Sequence, residues 1–396
     1  GNEQALLQAL QHGTNLITHR GPDQFGDWSD PVQGVYLGHR RLSIQDLSVA
    51  GRQPMQSGSG RFTIIFNGEI YNFKTLRNAL VKLGQAFRGH SDTEVMLEHI
   101  ERFGLEATLK QLVGMFAFAL FDKQEQTLTL CRDRIGEKPL YFGTLGGYLS
   151  FSSELKPIAS LYGRKQLATS GVALGSYLGM GFVPAPHSIY QGIFKLMPGH
   201  TLTVPLNTFH SNFPNTVDDV AYYQPYMSRY WDHGQVIAES LAKPFSDEAE
   251  ALDALDALLK QSIDEKLIAD VKVGSFLSGG IDSTLVTTYA SKVRAQPIDT
   301  FTMAFDSEEF NEAPFAKDIA SYLGTNHHEL KVGAKDLLSV VEELPRYYDE
   351  PFADSSQIPS IVISRYAKQH VDVVLSGDGG DELFMGYNRY TALYEL

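Results

Sequence analysis

The chain has 396 residues, enough for two or three domains that each bury a core of their own. Thirty-three lysines and arginines against 47 aspartates and glutamates give a formal charge of −14. This charge argues against nucleic acid as a partner, because modules that bind a phosphate backbone are usually basic. The longest apolar run, residues 113–121, is about half of what a membrane-spanning helix needs, and the first residues show no secretory pattern. One cysteine, Cys131, excludes an internal disulfide. We therefore expect a cytoplasmic globular protein that binds neither membrane nor nucleic acid.

Residues 1–205 are predicted to form a β-rich domain with some helices. Asn67-Gly68 and Gly146-Gly147 each separate two apolar runs, and both dipeptides favour hairpin turns because their residues tolerate positive φ angles. A helix is predicted to begin at Ser91–Glu94, which reads as a capping box followed by apolar residues at helical spacing. The mixture predicts an α/β domain with at least one antiparallel sheet.

Residues 206–245 lack a clean period and are rich in asparagine, aspartate and proline, which is typical of a linker. In residues 246–396, near-continuous apolar strands alternate with amphipathic helices. This order predicts a doubly wound parallel sheet, whose ligands bind at the carboxyl ends of the strands. The predicted elements are a helix over 247–263, a strand over 271–277, a helix over 283–293, a strand over 300–305, a helix over 312–323 and a strand over 371–375.

The loop within residues 275–283 follows an apolar strand and opens a helix. Its glycines let the backbone approach a phosphate, and the helix start offers unpaired N–H groups. The residues expected to hold phosphate are Ser278, Gly279, Gly280 and Ser283. The loop has no lysine and is shorter than the loop of kinases and GTPases, so Asp282 beside phosphates makes sense only if Mg²⁺ bridges the two. The alternative is a plain Ser-Gly turn with a capping aspartate.

A second loop, residues 376–382, follows the predicted strand over 371–375 and begins with Ser376 and Gly377. Two parallel strands can bring their carboxyl ends to one crevice, so Asp282 and Asp381 could share a cation. Alone, this acidic loop could be a calcium site or a solvated turn. Its spacing does not match the twelve-residue calcium loop.

With both loops in hand, the chain closely resembles the glutamine-hydrolysing asparagine synthetases. Upstream, four further runs resemble the class II glutamine amidotransferase domain of that family. These runs are His19–Asp23, Gly38–Ile44, Phe66–Asn72 and Ser91–Glu94. The resemblance implies an N-terminal αββα sandwich of the glutaminase type followed by an ATP-pyrophosphatase domain.

The resemblance implies a glutamine site in the first domain. Arg41 would bind the glutamine α-carboxylate, a bidentate task suited to a guanidinium. Asp92 would hold the α-ammonium, although a first-turn acid also suits a helix start. Asn67 and Gly68 would stabilise the oxyanion, although the same pair also suits a hairpin turn. The remaining pocket residues would be Leu42, Ile44 and Glu69.

The second domain, by the same resemblance, would use ATP to activate an acceptor carboxylate, aspartate by default, as an acyl-adenylate. Asp282 and Asp381 would hold Mg²⁺. Ammonia from glutamine would then attack the adenylate, and the resemblance allows a homodimer. Phe276, Leu277 and Met303 would line the adenine and ribose, with Ser376 and Gly377 completing the nucleotide site.

One departure from the family concerns the nucleophile. Class II glutaminases use a cysteine at residue 1, where this chain has Gly1, and Cys131 is predicted to be a packed core residue. We therefore expect a piece of a longer enzyme, without the cysteine strand and without the end of the synthetase domain. The alternatives are a ring-closing ligase like the β-lactam synthetases, a ligase that amidates surface-polysaccharide sugars, and a glutamine or nucleotide sensor without turnover.

Overall fold

The computed structural model describes residues 2–162, 167–208, 214–306 and 311–394. The chain forms two compact units. The first comprises Gly1–Pro244 with Tyr348–Ala353, and the second comprises Phe245–Tyr347 with Asp354–Leu396. Within the described ranges, no helix combines the length and apolar content needed to cross a bilayer.

The first unit contains antiparallel strands and helices. Its strands are β1 Gln24–Asp30, β2 Val35–Arg41, β3 Met55–Gln56, β4 Phe62–Ile70, β5 Gly114–Asp122, β6 Thr127–Arg132, β7 Tyr141–Leu145, β8 Tyr148–Ser152, β9 Ile193–Lys195, β10 His200–Pro205 and β11 Met227–Arg229. Its helices are α1 Asn2–Leu16, α2 Phe73–Lys82, α3 Asp92–Phe103, α4 Leu105–Gln111, α5 Leu155–Tyr162, α6 Gly171–Met180 and α7 His233–Leu241.

These elements pack as four layers. A six-stranded sheet has the order β11-β10-β6-β5-β4-β3, and the sheets β1-β2 and β8-β7-β9 face it. The core between the sheets includes Leu37, Phe121 and Phe142, all buried. Helix α1 packs on β2 and α5, while α3 packs on β4. The predicted αββα sandwich is confirmed, because each sheet buries one face against the other and one face under helices.

The hairpin predicted at Asn67-Gly68 is wrong. Strand β4 runs straight through both residues and pairs with β5 from Phe62↔Asp122 to Ile70↔Gly114. Gly68 serves close strand approach instead, since a Cβ there would overlap the Met115 carbonyl oxygen. The turn predicted at Gly146-Gly147 is confirmed: it joins β7 to β8 with φ angles of 61° and 78°.

Residues 206–245 differ from the linker expectation over much of their length. A 3₁₀ helix spans Val220–Tyr226, and β11 extends the large sheet by pairing with β10. The Tyr223 side chain is fully buried, with its ring centroid 5.0 Å from that of Phe142 and its hydroxyl 2.6 Å from Thr144 Oγ1. The composition suggested a linker, but the aromatic residues supply apolar surface that the first unit buries.

The second unit is built on a parallel sheet with the order β14-β13-β12-β15. Its strands are β12 Val273–Phe276, β13 Asp299–Phe305, β14 Asn326–Val332 and β15 Val373–Leu375. Its helices are α8 Glu248–Lys266, α9 Ile281–Val293, α10 Ala313–Leu323, α11 Ala334–Val341, α12 Leu344–Tyr347, α13 Gln357–Ala367, α14 Gly380–Phe384 and α15 Asn388–Tyr394. The predicted doubly wound parallel sheet is confirmed. The strand order reverses between β12 and β15, and that switch point is where such folds bind ligands.

Candidate functional site

The loop after β12 is held in shape by its own serines. Ser278 Oγ lies 2.9 Å from Ser283 Oγ, and it accepts the Gly280 N–H at 3.2 Å. Gly279 has a φ of +91°, and a Cβ there would lie 2.9 Å from Phe315 Cβ. Helix α9 begins at Ile281, so its first N–H groups emerge from this loop. The loop therefore presents backbone donors and hydroxyls at a helix start, an arrangement suited to phosphate.

The loop after β15 lies against the loop after β12. Ser275 pairs with Leu375, so both chains leave the sheet at the same edge. A Cβ on Gly380 would overlap the Asp282 carboxylate, and one on Gly377 would lie 2.9 Å from Ser283 N. Ser376 Oγ donates to Asp378 Oδ2 at 2.9 Å. The Asp282 carboxylate therefore lies against Gly380, the residue that precedes Asp381.

The two aspartates provide oxygen donors, the ligand type that Mg²⁺ prefers. Among the residues that the structure describes, no group of three or more histidine, cysteine, aspartate or glutamate side chains could hold a metal. A cation at Asp282 and Asp381 would therefore need further oxygen ligands, and nucleotide phosphates and water can supply them.

The predicted adenine-lining residues divide into two environments. Leu277 is 1% exposed and packs against Ala316 and Ala320 of α10, so only its backbone could face a nucleotide. Phe276 and Met303 are partly buried beside Phe301 in a separate cluster. Their side chains are partly accessible, which Leu277 is not.

Arg41 ends β2 and is 7% exposed. Its Nη2 donates to the carbonyl oxygens of Gln45 at 2.9 Å and Asp46 at 2.7 Å, and its Nη1 donates to Gln24 Oε1 at 3.1 Å. Burial lowers the pKa of Arg41, although the negative charges of Asp46, Asp92 and Asp23 favour the protonated guanidinium. The loop that follows β2 thus fixes the Arg41 guanidinium in one orientation.

Asp92 opens α3 behind the N-cap Ser91 and is 6% exposed. Its Oδ2 accepts the Ile70 N–H at 2.8 Å, and its Oδ1 accepts the Thr93 N–H at 2.7 Å. Burial raises the pKa of Asp92 to about 6, although these hydrogen bonds and the charge of Arg41 favour the carboxylate. A buried acid with a strongly shifted pKa is a frequent feature of binding sites.

The other predicted glutamine-site residues lie on β4 and on the loop after β2. Asn67 Nδ2 donates weakly to Ser153 Oγ at 3.4 Å. Glu69 Oε1 accepts from Gln45 Nε2 at 2.6 Å, and this hydrogen bond joins the loop after β2 to strand β4. Leu42 is 38% exposed, and Ile44 is half-buried. Asn67 also lines a cavity of about 430 Å³, mostly apolar, between α1 and the two facing sheets.

Two further groups of the first unit, Cys131 and His39, have shifted pKa values. Cys131 lies fully buried in β6, and burial raises the pKa of its thiol well above the ordinary value, so it remains a protonated core residue. His39 Nε2 lies 3.0 Å from the Phe66 carbonyl oxygen, and burial lowers the pKa of His39 to about 4. The imidazole is therefore neutral at neutral pH and donates this hydrogen bond.

Sequence reasoning missed Gln45 and Asp46, which connect the predicted ligands. Asp46 is fully buried with a φ of 53°. Its carboxylate accepts from Ser48 N at 3.2 Å, Ser48 Oγ at 2.5 Å and His90 N at 2.8 Å. The spacing of Asp46 and Ser48 is typical of an Asx turn, and that was the available signal. The contact to His90 has no local signal.

The sequence matches two family models: the glutamine amidotransferase domain over residues 1–213 and asparagine synthase over residues 254–396. It is 34% identical to glutamine-hydrolysing asparagine synthetase 1 of Bacillus subtilis over 97% of this chain and 56% of that protein. It is 32% identical to a putative glutamine-hydrolysing asparagine synthetase of Methanocaldococcus jannaschii over 100% of this chain and 75% of that protein. A putative asparagine synthetase of Mycobacterium tuberculosis is 35% identical over 96% of this chain and 57% of that protein. The chain thus spans little more than half the length of two of these relatives.

Proposed function

Because the chain belongs to the family of glutamine-hydrolysing asparagine synthetases, we propose that it carries the two substrate sites of an ATP-dependent amidation. A glutamine site lies in the first unit and an ATP site lies in the second. The observation that carries this proposal is the contact between the two strand-end loops, which sets Asp282 against Gly380. Family membership favours amidation over ring closure or a sensor without turnover, and it does not favour a polysaccharide sugar as the acceptor.

In the second unit, the phosphates of ATP would lie on Ser278–Ser283. The loop hydroxyls and N–H groups would bind phosphate oxygens, while Asp282 and Asp381 would hold Mg²⁺. Bound Mg²⁺ would neutralise charge on the pyrophosphate. The acceptor carboxylate, aspartate by default, would form a bond to the α-phosphorus as the bond to the β-phosphate oxygen breaks. Ammonia would then bond to the acyl carbon and displace AMP.

In the first unit, Arg41 and Asp92 would bind the two ends of the glutamine amino-acid group. Asn67 Nδ2 and the Gly68 N–H would stabilise the oxyanion, and each such donor is worth about 3 to 4 kcal/mol in comparable sites. Cys131 cannot act as the thiol because it is buried and protonated. We therefore assign glutamine hydrolysis to the whole protein, and to this chain only the binding and positioning of glutamine.

Calorimetric titration of Mg-ATP tests the nucleotide site on the chain itself. Asp282→Asn should weaken binding by about tenfold or more because it removes one of the two proposed Mg²⁺ ligands. Gly380→Ala should have a similar effect, since its Cβ would displace the Asp282 carboxylate.

The matched control is Gly333→Ala, where the nearest atom to an added Cβ is 3.6 Å away. Equal affinity in all variants would contradict the site.

The acceptor is then tested on the full-length protein: release of pyrophosphate with aspartate, ATP and Mg²⁺ is expected, and its absence would remove aspartate as acceptor.

A further inference from the structure

The loop between β2 and β3 converges on a single buried carboxylate. Asp46 lies in this loop with no exposed surface and a left-handed backbone, φ 53°. A non-glycine residue in this conformation carries strain, which aspartate and asparagine tolerate better than most residues. Such a residue persists only where its surroundings fix it. The contacts of Asp46 explain what fixes it.

The backbone of Asp46 faces the predicted ligand of the glutamine α-carboxylate. Its carbonyl oxygen accepts from Arg41 Nη2 at 2.7 Å, and the neighbouring Gln45 carbonyl accepts from the same nitrogen at 2.9 Å. A Cβ on Gly51 would overlap this nitrogen, so the guanidinium is also confined on that side. A guanidinium held by two carbonyls and packed against backbone has little freedom to turn.

The side chain of Asp46 faces the segment that leads to the predicted ligand of the α-ammonium. Its Oδ2 accepts the His90 N–H at 2.8 Å, and Asp92 follows two residues later. A Cβ on Gly89 would overlap the same Oδ2, so the loop that carries Asp46 and the segment before α3 are in direct contact. Although burial alone would raise the pKa of Asp46, hydrogen bonds from Ser48 and His90 lower it, and the group remains a carboxylate.

We infer that Asp46 is a positioning residue that sets the spacing of Arg41 and Asp92 and so determines affinity for the α-amino-acid end of glutamine. Asp46 bonds Arg41 through its carbonyl oxygen and His90, in the segment just before α3, through its carboxylate. It touches no substrate atom in this role. The inference rests on the proposed glutamine site.

The test measures L-glutamine binding to the chain by calorimetry, alongside the thermal midpoint of the first unit. Asp46→Gly retains the left-handed backbone without strain but removes the carboxylate. Binding should weaken by about tenfold while the thermal midpoint changes little, because the variant loses hydrogen bonds but relieves strain. Asp46→Asn tolerates the same backbone and keeps one acceptor oxygen, so it should recover part of the affinity.

Asp232→Gly is the matched control. Asp232 caps α7 through the N–H groups of Gly234 and Gln235 and forms no hydrogen bond with Arg41 or His90 among the described residues. This variant should bind L-glutamine as the parent chain does. Gly89→Ala supplies an independent variant, since its Cβ would push Oδ2 away, and it should weaken binding in the same direction as Asp46→Gly.

The possible outcomes separate the two claims. If the parent chain does not bind L-glutamine, the proposed glutamine site itself fails. If the parent chain binds and both Asp46→Gly and Gly89→Ala bind equally well, the positioning role of Asp46 is wrong. If affinity falls only in proportion to the thermal midpoint, Asp46 is a stabilising residue alone, and the inference is overturned.

Discussion

At the scale of single residues, the buried carboxylate of Asp92 predicts how glutamine binding at the proposed site depends on pH. Burial raises its pKa to about 6, so at lower pH the carboxyl is increasingly protonated and cannot attract an ammonium. Glutamine at the proposed site would favour the carboxylate, so affinity should be constant above pH 7 and about tenfold weaker at pH 5. Calorimetric titration of L-glutamine between pH 5 and 8 measures this.

Asp92→Asn supplies the comparison. The variant should bind weakly at every pH, because its amide cannot ionise. If the variant shows the same loss of affinity below pH 6 as the parent chain, another group titrates and Asp92 does not contact the ammonium.

The start of α3 shows which contacts of single residues can be predicted from the sequence and which cannot. The capping-box sequence predicted the N-cap, and Ser91 Oγ does accept the Glu94 N–H at 3.2 Å. Glu94, however, accepts the N–H groups of Arg88 and Gly89 at 2.8 and 2.9 Å. Local pattern identified the cap because capping is a contact within one turn. It could not identify the partner of Glu94, just as it missed Asp46, because those contacts depend on how a neighbouring loop folds back.

At the scale of elements, the segment Tyr348–Ala353 is anchored in the first unit by buried ion pairs. Lys156 Nζ lies 2.5 Å from Asp349 Oδ1, and the Lys156 N–H donates to Asp349 Oδ2 at 3.0 Å. Lys195 Nζ lies 2.5 Å from Glu350 Oε2. Burial opposes the charged form of Lys156, but hydrogen bonds to Asp349 and Glu154, together with their charges, raise its pKa. Burial at both ends makes these pairs costly to break, because the remaining charge has no partner.

We expect Lys156→Met to lower the free energy of unfolding of the first unit by about 3 kcal/mol, since it leaves the buried carboxylate of Asp349 without its cation. Urea unfolding followed by tryptophan fluorescence measures this. Lys110→Met is the matched control, because Lys110 pairs with Glu106 on the surface with side-chain exposures of 62% and 80%. That variant should lose less than about 1 kcal/mol. Equal losses in both variants would show that the buried pair contributes no more than an exposed one.

Strand β4 shows where element prediction fails. Asn-Gly between apolar runs is a strong hairpin signal when the two runs pair with each other. Here both runs pair with β5 instead, so the dipeptide lies inside one strand. The parallel sheet of the second unit was predicted more reliably, because strands buried on both faces leave apolar runs that stand out from amphipathic helices. Strand β14, Asn326–Val332, was not predicted because its composition, with two histidines, is polar.

At the scale of the whole molecule, the first unit is not one continuous stretch of the chain. Residues 348–353 belong to the first unit, whereas the residues on both sides belong to the second. The composition changes only near residues 206–245, so the sequence predicts a single division of the chain there. The segment 348–353 has no distinctive composition that would place it in the first unit. Its carboxylates Asp349 and Glu350 indicate that placement only when their partners Lys156 and Lys195 are known.

Each unit has a core of its own, so we expect each ligand to stabilise only the unit that binds it. The chain has two tryptophans, Trp28 and Trp231, and both lie in the first unit, so tryptophan fluorescence follows that unit alone. L-Glutamine at about 100 times its Kd should raise the stability of the fluorescence transition by about 2.7 kcal/mol. Mg-ATP should leave that transition in place and raise a second one seen by calorimetry. If Mg-ATP shifts the fluorescence transition as much as L-glutamine does, the two units unfold as one cooperative body, and the assignment of one ligand to each unit must be tested by the binding variants instead.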